Sequence, residues 1–156
     1  MSGIPNLRIP RPAPLFLGSL LLLGNPAANA LDFRTTSRPA LLYTAPSNTA
    51  GKVAIAGSGL PLEVVVDTEN WAKVRDHSGR LAWIEKAALG GSRNVVVKAE
   101  TSLVRTQPRP DAEVAFRVAR GVLLGVTGEP DAYGWLPVKH ADGMAGWLPL
   151  HEVWGR

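Results

Sequence analysis

Five tryptophans supply most of the recognition chemistry in this chain. Trp71 and Trp83 are twelve residues apart, and so are Trp135 and Trp147. Trp71 opens the string Trp-Ala-Lys-Val-Arg, and Trp135 opens Trp-Leu-Pro-Val-Lys. In an extended strand alternate side chains share a face. Trp71, Lys73 and Arg75 are therefore expected on one face, with Ala72 and Val74 on the other. Trp135, Pro137 and Lys139 share a face in the same way, opposite Leu136 and Val138. The aliphatic face belongs to a core, so both indoles are expected to point outward beside cations, where either loops or the neighbouring barrel cover them or a ligand meets them. An outward indole can grip a ligand, and flanking cations can steer acidic groups. Tyr43 is placed to line a groove with Trp71, and Arg105 takes its position in the second half. Trp83 and Trp147 adjoin Ile84 and Leu148 and read as structural. Trp154 reads as a lid on the second half.

Other chemistries find less support. The three histidines are His77, His140 and His151. The spacing of His140, Asp142 and His151 matches no ligand pattern, so no metal and no cofactor are expected. No Ser/His/Asp order, phosphate loop or paired-carboxylate motif stands out, and a non-enzymatic protein is expected. A small hydrolase is the least favoured alternative. The chain has no cysteine. That removes disulfides, thiolate metal sites, a cysteine nucleophile and the cysteine that a lipid anchor needs.

The elements that must carry these side chains come as an internal repeat. Trp71-Ala-Lys-Val-Arg matches Trp135-Leu-Pro-Val-Lys, Ser78-Gly79 matches Asp142-Gly143, and Ala82-Trp83-Ile84 matches Gly146-Trp147-Leu148. Upstream, Leu41 to Pro46 matches Leu103 to Pro108, and Gly59 matches Gly121. The offset moves from 62 to 64 residues across an insertion near Tyr133-Gly134. A repeat of this period means one structural unit per copy. Within each copy short apolar runs alternate with turn residues. Strands are expected near 40–44, 53–56, 62–67, 71–76 and 81–85, and near 102–105, 114–118, 122–127, 135–139 and 144–149. Gly79 and Gly143 mark hairpin turns that need positive φ. Such short, regularly spaced strands predict an all-β fold of two small barrels. Asn94 to Lys98 is expected to add a strand joining them.

The first thirty residues read differently. Arg8 and Arg11 precede an apolar run of nine residues, Leu15 to Leu23, followed by Gly24-Asn25-Pro26 and Ala28-Asn29-Ala30. Nine is too short to span a bilayer, which takes roughly 20 apolar residues. It suits the apolar region of a secretory signal cut after Ala30. The expected organisation is a signal peptide at 1–30, one barrel at 31–91 and another at 92–156. The product is expected in the periplasm or outside the cell, with no membrane span in the mature chain. Of 17 basic residues, Arg8 and Arg11 leave with the leader, so 15 basic face 13 acidic side chains. Near-neutrality and the lack of a basic tract argue against nucleic acid as a partner.

The string from Gly59 through Asn70-Trp71-Ala-Lys-Val-Arg-Asp to Trp83-Ile, with a Gly-Ser-Arg linker, resembles the bacterial SH3 domain. The ending Gly146-Trp147-Leu148-Pro149…Val153-Trp154-Gly155 resembles its tandem exported form. The resemblance covers 33–156 and implies two tandem SH3-like β-barrels acting as a binding module. It implies a partner such as peptidoglycan stem peptides or a segment of an envelope protein. A structural, scaffolding role in the envelope is the alternative. In peptide-binding SH3 grooves a Trp like Trp135 works with a Pro like Pro149 and a Tyr whose position corresponds here to Glu152. The first copy has Glu85 in place of the proline, and Ala82 where the family usually carries glycine. The ligand-binding residues expected are Tyr43, Trp71, Lys73, Arg75, Trp135, Lys139 and Pro149.

Overall fold

Short aliphatic runs that alternate with polar residues can bury a face only by pairing with neighbours. In the computed structural model, which describes residues 31–156, they pair into two sheets of identical topology. The leader expected at 1–30 lies outside the described residues. The first sheet contains β1 (Phe33–Thr36), β2 (Ala40–Tyr43), β3 (Lys52–Ala56), β4 (Pro61–Asp67), β5 (Trp71–Arg75), β6 (Leu81–Glu85) and β7 (Leu89–Gly90). Its order is β3-β2-β6-β5-β4-β1-β7. The second contains β8 (Asn94–Val97), β9 (Thr101–Arg105), β10 (Val114–Ala119), β11 (Leu123–Val126), β12 (Trp135–Lys139), β13 (Ala145–Pro149) and β14 (Val153–Trp154). Its order, β10-β9-β13-β12-β11-β8-β14, repeats the first strand for strand. A 3₁₀ turn, Lys86–Ala88 or Leu150–Glu152, precedes the last strand of each unit. The fold is two tandem SH3-like barrels, all β.

Three strands escape the sequence pattern. β1, β7 and β14 are four residues or fewer, too short to show an alternation. The segment expected to join the barrels is instead β8, the second unit's own first strand. It pairs with β11 and β14, as β1 pairs with β4 and β7.

The alternation does place the cores. Ala72 and Val74 are buried in one unit, and Leu136 and Val138 in the other. The first core gathers Leu42, Ala56, Leu62, Ala72, Val74, Ala82, Ile84 and Ala88. The second gathers Val95, Val97, Val104, Val118, Leu124, Leu136, Val138, Leu148 and Val153. At matching positions alanine in the first unit faces larger aliphatics in the second: Ala56 against Val118, Ala72 against Leu136.

One polar atom interrupts the second core. Ser102 is buried, and its Oγ has no hydrogen-bond partner. The matching residue is Ala40. A buried hydroxyl without a partner costs about 1–3 kcal/mol. Ser102→Ala is therefore expected to raise stability by about 1 kcal/mol in urea denaturation. An unchanged or lowered midpoint would show that Oγ is satisfied in solution.

The β5–β6 hairpin turns at Gly79, which has φ +86°, and the β12–β13 hairpin at Gly143, with φ +96°. Asp76 Oδ1 organises the first. It accepts the Ser78 N–H at 2.9 Å, the Ser78 hydroxyl at 2.6 Å and the Arg80 N–H at 3.0 Å. Burial pushes this carboxyl upward, but the Ser78 and Arg80 donors outweigh it and hold it below its ordinary value of 3.8. The folded state therefore binds this proton less readily than the unfolded chain. Its stabilisation is complete above pH 3.8 and is lost as pH falls through the lower folded value. Asp76→Ala should cost about 1 kcal/mol at pH 7. The gap from wild type should narrow in denaturation curves taken at pH 3 and below.

The barrels meet through side chains of β1, β8 and β14. Asn94 Nδ2 donates to the Gly59 carbonyl at 2.9 Å. Trp154 was expected to cap the second barrel. Its ring instead stands edge-on to Phe33 of the first, at 4.9 Å between centroids, with His77 at 6.4 Å. Register explains this: Val153 takes the core position opposite Val97, so the next side chain must point the other way. Gly155 follows at φ +120°, where a Cβ would lie 2.8 Å from Pro61 Cβ.

Candidate functional site

The β12–β13 register sets Trp135 directly opposite Pro149, and β13 meets β9 at the pair Trp147 and Arg105. These strands, the 3₁₀ turn and the 106–113 loop enclose a groove of about 460 Å³. Its walls are Trp135, Pro149, Tyr133, Pro110, Arg105, Leu103, Thr101, Gly134, His151 and Glu152. Asp131 fixes the aromatic end. Its Oδ1 accepts the Tyr133 N–H at 2.9 Å and the Trp135 N–H at 2.8 Å. Tyr133 is left 89% exposed at the groove mouth. Arg105 Nη1 donates to the Ala112 carbonyl at 2.7 Å, which holds the guanidinium against the 106–113 loop.

The first barrel builds the same place with different residues. Arg105 corresponds to Tyr43, Pro149 to Glu85 and Glu152 to Ala88, while Tyr133 stands in the inserted stretch where the first barrel has only Glu69-Asn70. Tyr43 stands edge-on to Trp71, with ring centroids 5.4 Å apart. Two smaller hollows flank that contact. One, of about 430 Å³, takes Asn48, Glu69, Asn70, Trp71, Glu85, Lys86 and Ala87. The other, of about 230 Å³, takes Arg38, Pro39, Leu41, Tyr43 and Ala88 among its walls. The second barrel's walls map onto these two sets together. What is one groove in the second barrel is two hollows in the first.

The expected site residues do not come together as one surface. Trp135 and Pro149 share the groove, and Tyr43 touches Trp71. Trp71 and Trp135 face separate hollows. Of the two readings of these indoles, the structure shows cover. Trp135 is 9% exposed and Trp71 is half-buried, because loops and the 3₁₀ turn rise around that face. Tyr43 is buried, so its ring is spent on Trp71. Arg75 is tied to Glu63 at 3.1 Å. Lys73 pairs in register with Trp83 and Val66 and lines none of these hollows. Lys139 lines a different hollow, with His140, Asn94 and Gly59, at the barrel joint. Tyr133, from the inserted loop, lines the groove beside Trp135. The signal was present in the sequence: an extra residue pair just ahead of the repeated tryptophan.

Two further places bear on function. A cleft of about 690 Å³ at the joint holds Phe33, Val126, Arg34, Arg93 and Arg156. Its cations are matched by nearby acids. Arg34 pairs with Asp67 at 2.9 Å and Asp32 at 3.0 Å, and Arg93 and Arg156 share Glu129. Arg93, then Arg156, holds the Glu129 carboxyl below its ordinary range. His140 Nδ1 lies 3.0 Å from Asp142 Oδ1 at the second hairpin, whereas His151 lines the groove. The Met144 N–H, then His140, lowers the Asp142 carboxyl. Among the described residues no three His, Asp or Glu side chains are grouped to hold a metal ion. Among the described residues no helix is long and apolar enough to cross a membrane.

Comparison with known proteins agrees with the geometry. Among curated proteins none matches the sequence. Two solved structures from Trichomonas vaginalis are similar to it. One, titled NlpC1, is 13% identical with a TM-score of 0.37, covering 88% of this chain and 50% of its own. The other, titled NlpC2, is 10% identical with a TM-score of 0.38, covering 81% of this chain and 49% of its own. The chain thus spans about half the length of those structures. Residues 36–91 and 98–155 each match the family described as the bacterial SH3 domain. The matches fall on the two barrels, and the chain belongs to the bacterial SH3 domain family.

Proposed function

We propose that this tandem SH3 protein is an exported, non-enzymatic binding module whose second barrel takes a peptide-like ligand, in the first place a stem peptide of peptidoglycan. The groove beside Trp135 carries this reading. Trp135, Pro149, Pro110 and Tyr133 give it flat apolar walls, and Arg105 and Glu152 give it both signs of charge. Flat apolar walls suit an extended chain, and fixed charges orient it. The first barrel has no equivalent single groove, so the module binds once. The leader-like residues 1–30 support export to the periplasm or the medium.

Co-sedimentation with purified peptidoglycan at low salt tests the reading. Trp135→Ala should weaken retention at least about tenfold, as expected for a buried aromatic anchor. Trp71→Ala should change it less than about twofold, since that ring already packs on Tyr43. Protein that stays in the supernatant would end the wall-binding form. Equal losses for both variants would end the single-groove form.

A further inference from the structure

Arg105 is the unexplained cation of the groove. Thr101, Leu103 and Arg105 alternate along β9 and all line the groove, while Ser102 and Val104 between them are buried. The groove therefore follows the outer face of β9 for about 13 Å, with Arg105 at one end. Register sets the other walls in order along it. Trp147 stands opposite Arg105 in antiparallel β13, so Pro149, two residues on, comes beside Leu103 and has Trp135 across from it. The 3₁₀ turn lies at the Thr101 end, where the Glu152 carbonyl accepts the Lys98 N–H at 2.9 Å. The groove thus has Glu152 at one end, Trp135 and Pro149 in the middle and Arg105 at the other.

Arg105 is half-buried, and Nη1 is pinned to the Ala112 carbonyl. Nε and Nη2 have no partner among the described residues, and neither is sealed from solvent. No carboxylate of the described residues lies within ion-pair distance of it, and Asp111 of the adjoining loop is held by Arg109 at 2.9 Å. The barrel needs no cation here, since the first one uses Tyr43. A fixed guanidinium with spare N–H groups matches the fork of a carboxylate. We propose that Arg105 receives the terminal carboxylate of the groove ligand, so that the second barrel holds the carboxyl end of a short extended peptide. β9 ends at Arg105, and the 106–113 loop turns up beyond it with Pro110 in the groove wall. At about 3.3 Å per residue, 13 Å of groove takes roughly four residues. The Glu152 carboxylate repels an anion from the opposite end, which fixes the direction of the chain. This inference rests on the groove being the binding site, and it adds which end of the ligand is held.

The test titrates the protein in a calorimeter with a synthetic stem pentapeptide of peptidoglycan, its terminal carboxyl either free or amidated. Amidation removes one charge and leaves length and side chains in place. Wild type is expected to hold the free acid about tenfold more tightly than the amide, the worth of one charge-assisted hydrogen bond. Arg105→Gln removes the charge, and Arg105→Tyr restores the side chain the first barrel already uses. Both should bind the two forms equally, near the wild-type affinity for the amide. Equal wild-type affinities, with both lost in Trp135→Ala, would overturn the carboxylate assignment and leave the groove reading standing. Arg105 variants that still prefer the free acid would place the carboxylate elsewhere and overturn it too. No wild-type binding of either form would also overturn it, and the peptidoglycan co-sedimentation of wild type and Trp135→Ala would then decide whether the groove reading falls as well.

Discussion

Leu136→Ala is expected to destabilise the protein by about 2–5 kcal/mol, read as a lowered urea midpoint. Leu136, the second residue of β12, is fully buried and belongs to the core of Val97, Val104, Leu124, Val138 and Leu148. The substitution copies the first barrel, where Ala72 is equally buried at the same position. That precedent does not make it safe. Ala72 sits among Ala56, Ala82 and Ala88, so the whole first core is drawn in around small side chains. In the second barrel the neighbours remain large and cannot collapse into the space of a lost isobutyl group. Cavity cost depends on how far the surroundings relax, and here they relax little. A loss below about 1 kcal/mol would show the second barrel to be as adaptable as the first.

The same comparison shows why repeat and core were legible from sequence while the site was legible only in part. Alternation along a strand assigns each side chain to a face, and it placed Ala72, Val74, Leu136 and Val138 inside. It says nothing about what stands over the other face. The cover on Trp135 comes from the 106–113 loop and the 3₁₀ turn at 150–152, neither of which has a periodic signature. Parity also ignores distance along the strand. Trp135 and Lys139 share a face, but four residues of strand set them about 13 Å apart. Lys139 accordingly reaches the hollow at the barrel joint while Trp135 lines the groove. Arg75 was legible as a cation but not as a partner of Glu63, because that pair forms across β4 and β5. Trp154 depends on β14, a two-residue strand whose register only the fold supplies.

Among the exchanges that set the two barrels apart at this place, the one beside the repeated tryptophan is the clearest. Tyr43 fills the space beside Trp71 with a ring, whereas Arg105 leaves Trp135 without an aromatic partner among the described residues. A duplicated barrel can hold two cores to one pattern, since cores answer to volume and polarity alone. Groove residues carry no such shared constraint. The first barrel's packed pair adds ring contact to its fold, and the second barrel's indole forms part of the groove wall.

Gly146→Ala is expected to cost about 1–3 kcal/mol and to weaken ligand retention at the same time. A methyl group at Gly146 would sit 2.5 Å from the Arg105 carbonyl oxygen and 2.8 Å from Val104 Cγ1. Neither atom can yield cheaply. The carbonyl belongs to β9 where it meets β13, and Val104 is fully buried. The strands must separate locally, and Arg105 moves with them out of the groove wall. Ala82 holds the matching position in the first barrel at the same register, opposite Val74 as Gly146 is opposite Val138. There the β2–β6 approach already accommodates a Cβ, so Ala82→Gly should cost about 0.5–1 kcal/mol of backbone entropy and about 0.8 kcal/mol more for the buried methyl group. Denaturation midpoints and peptidoglycan co-sedimentation on both variants separate the two effects. A Gly146→Ala protein as stable as wild type would show that β9 and β13 part freely. One that is destabilised yet retained at full strength would show that Arg105 does not shape the groove.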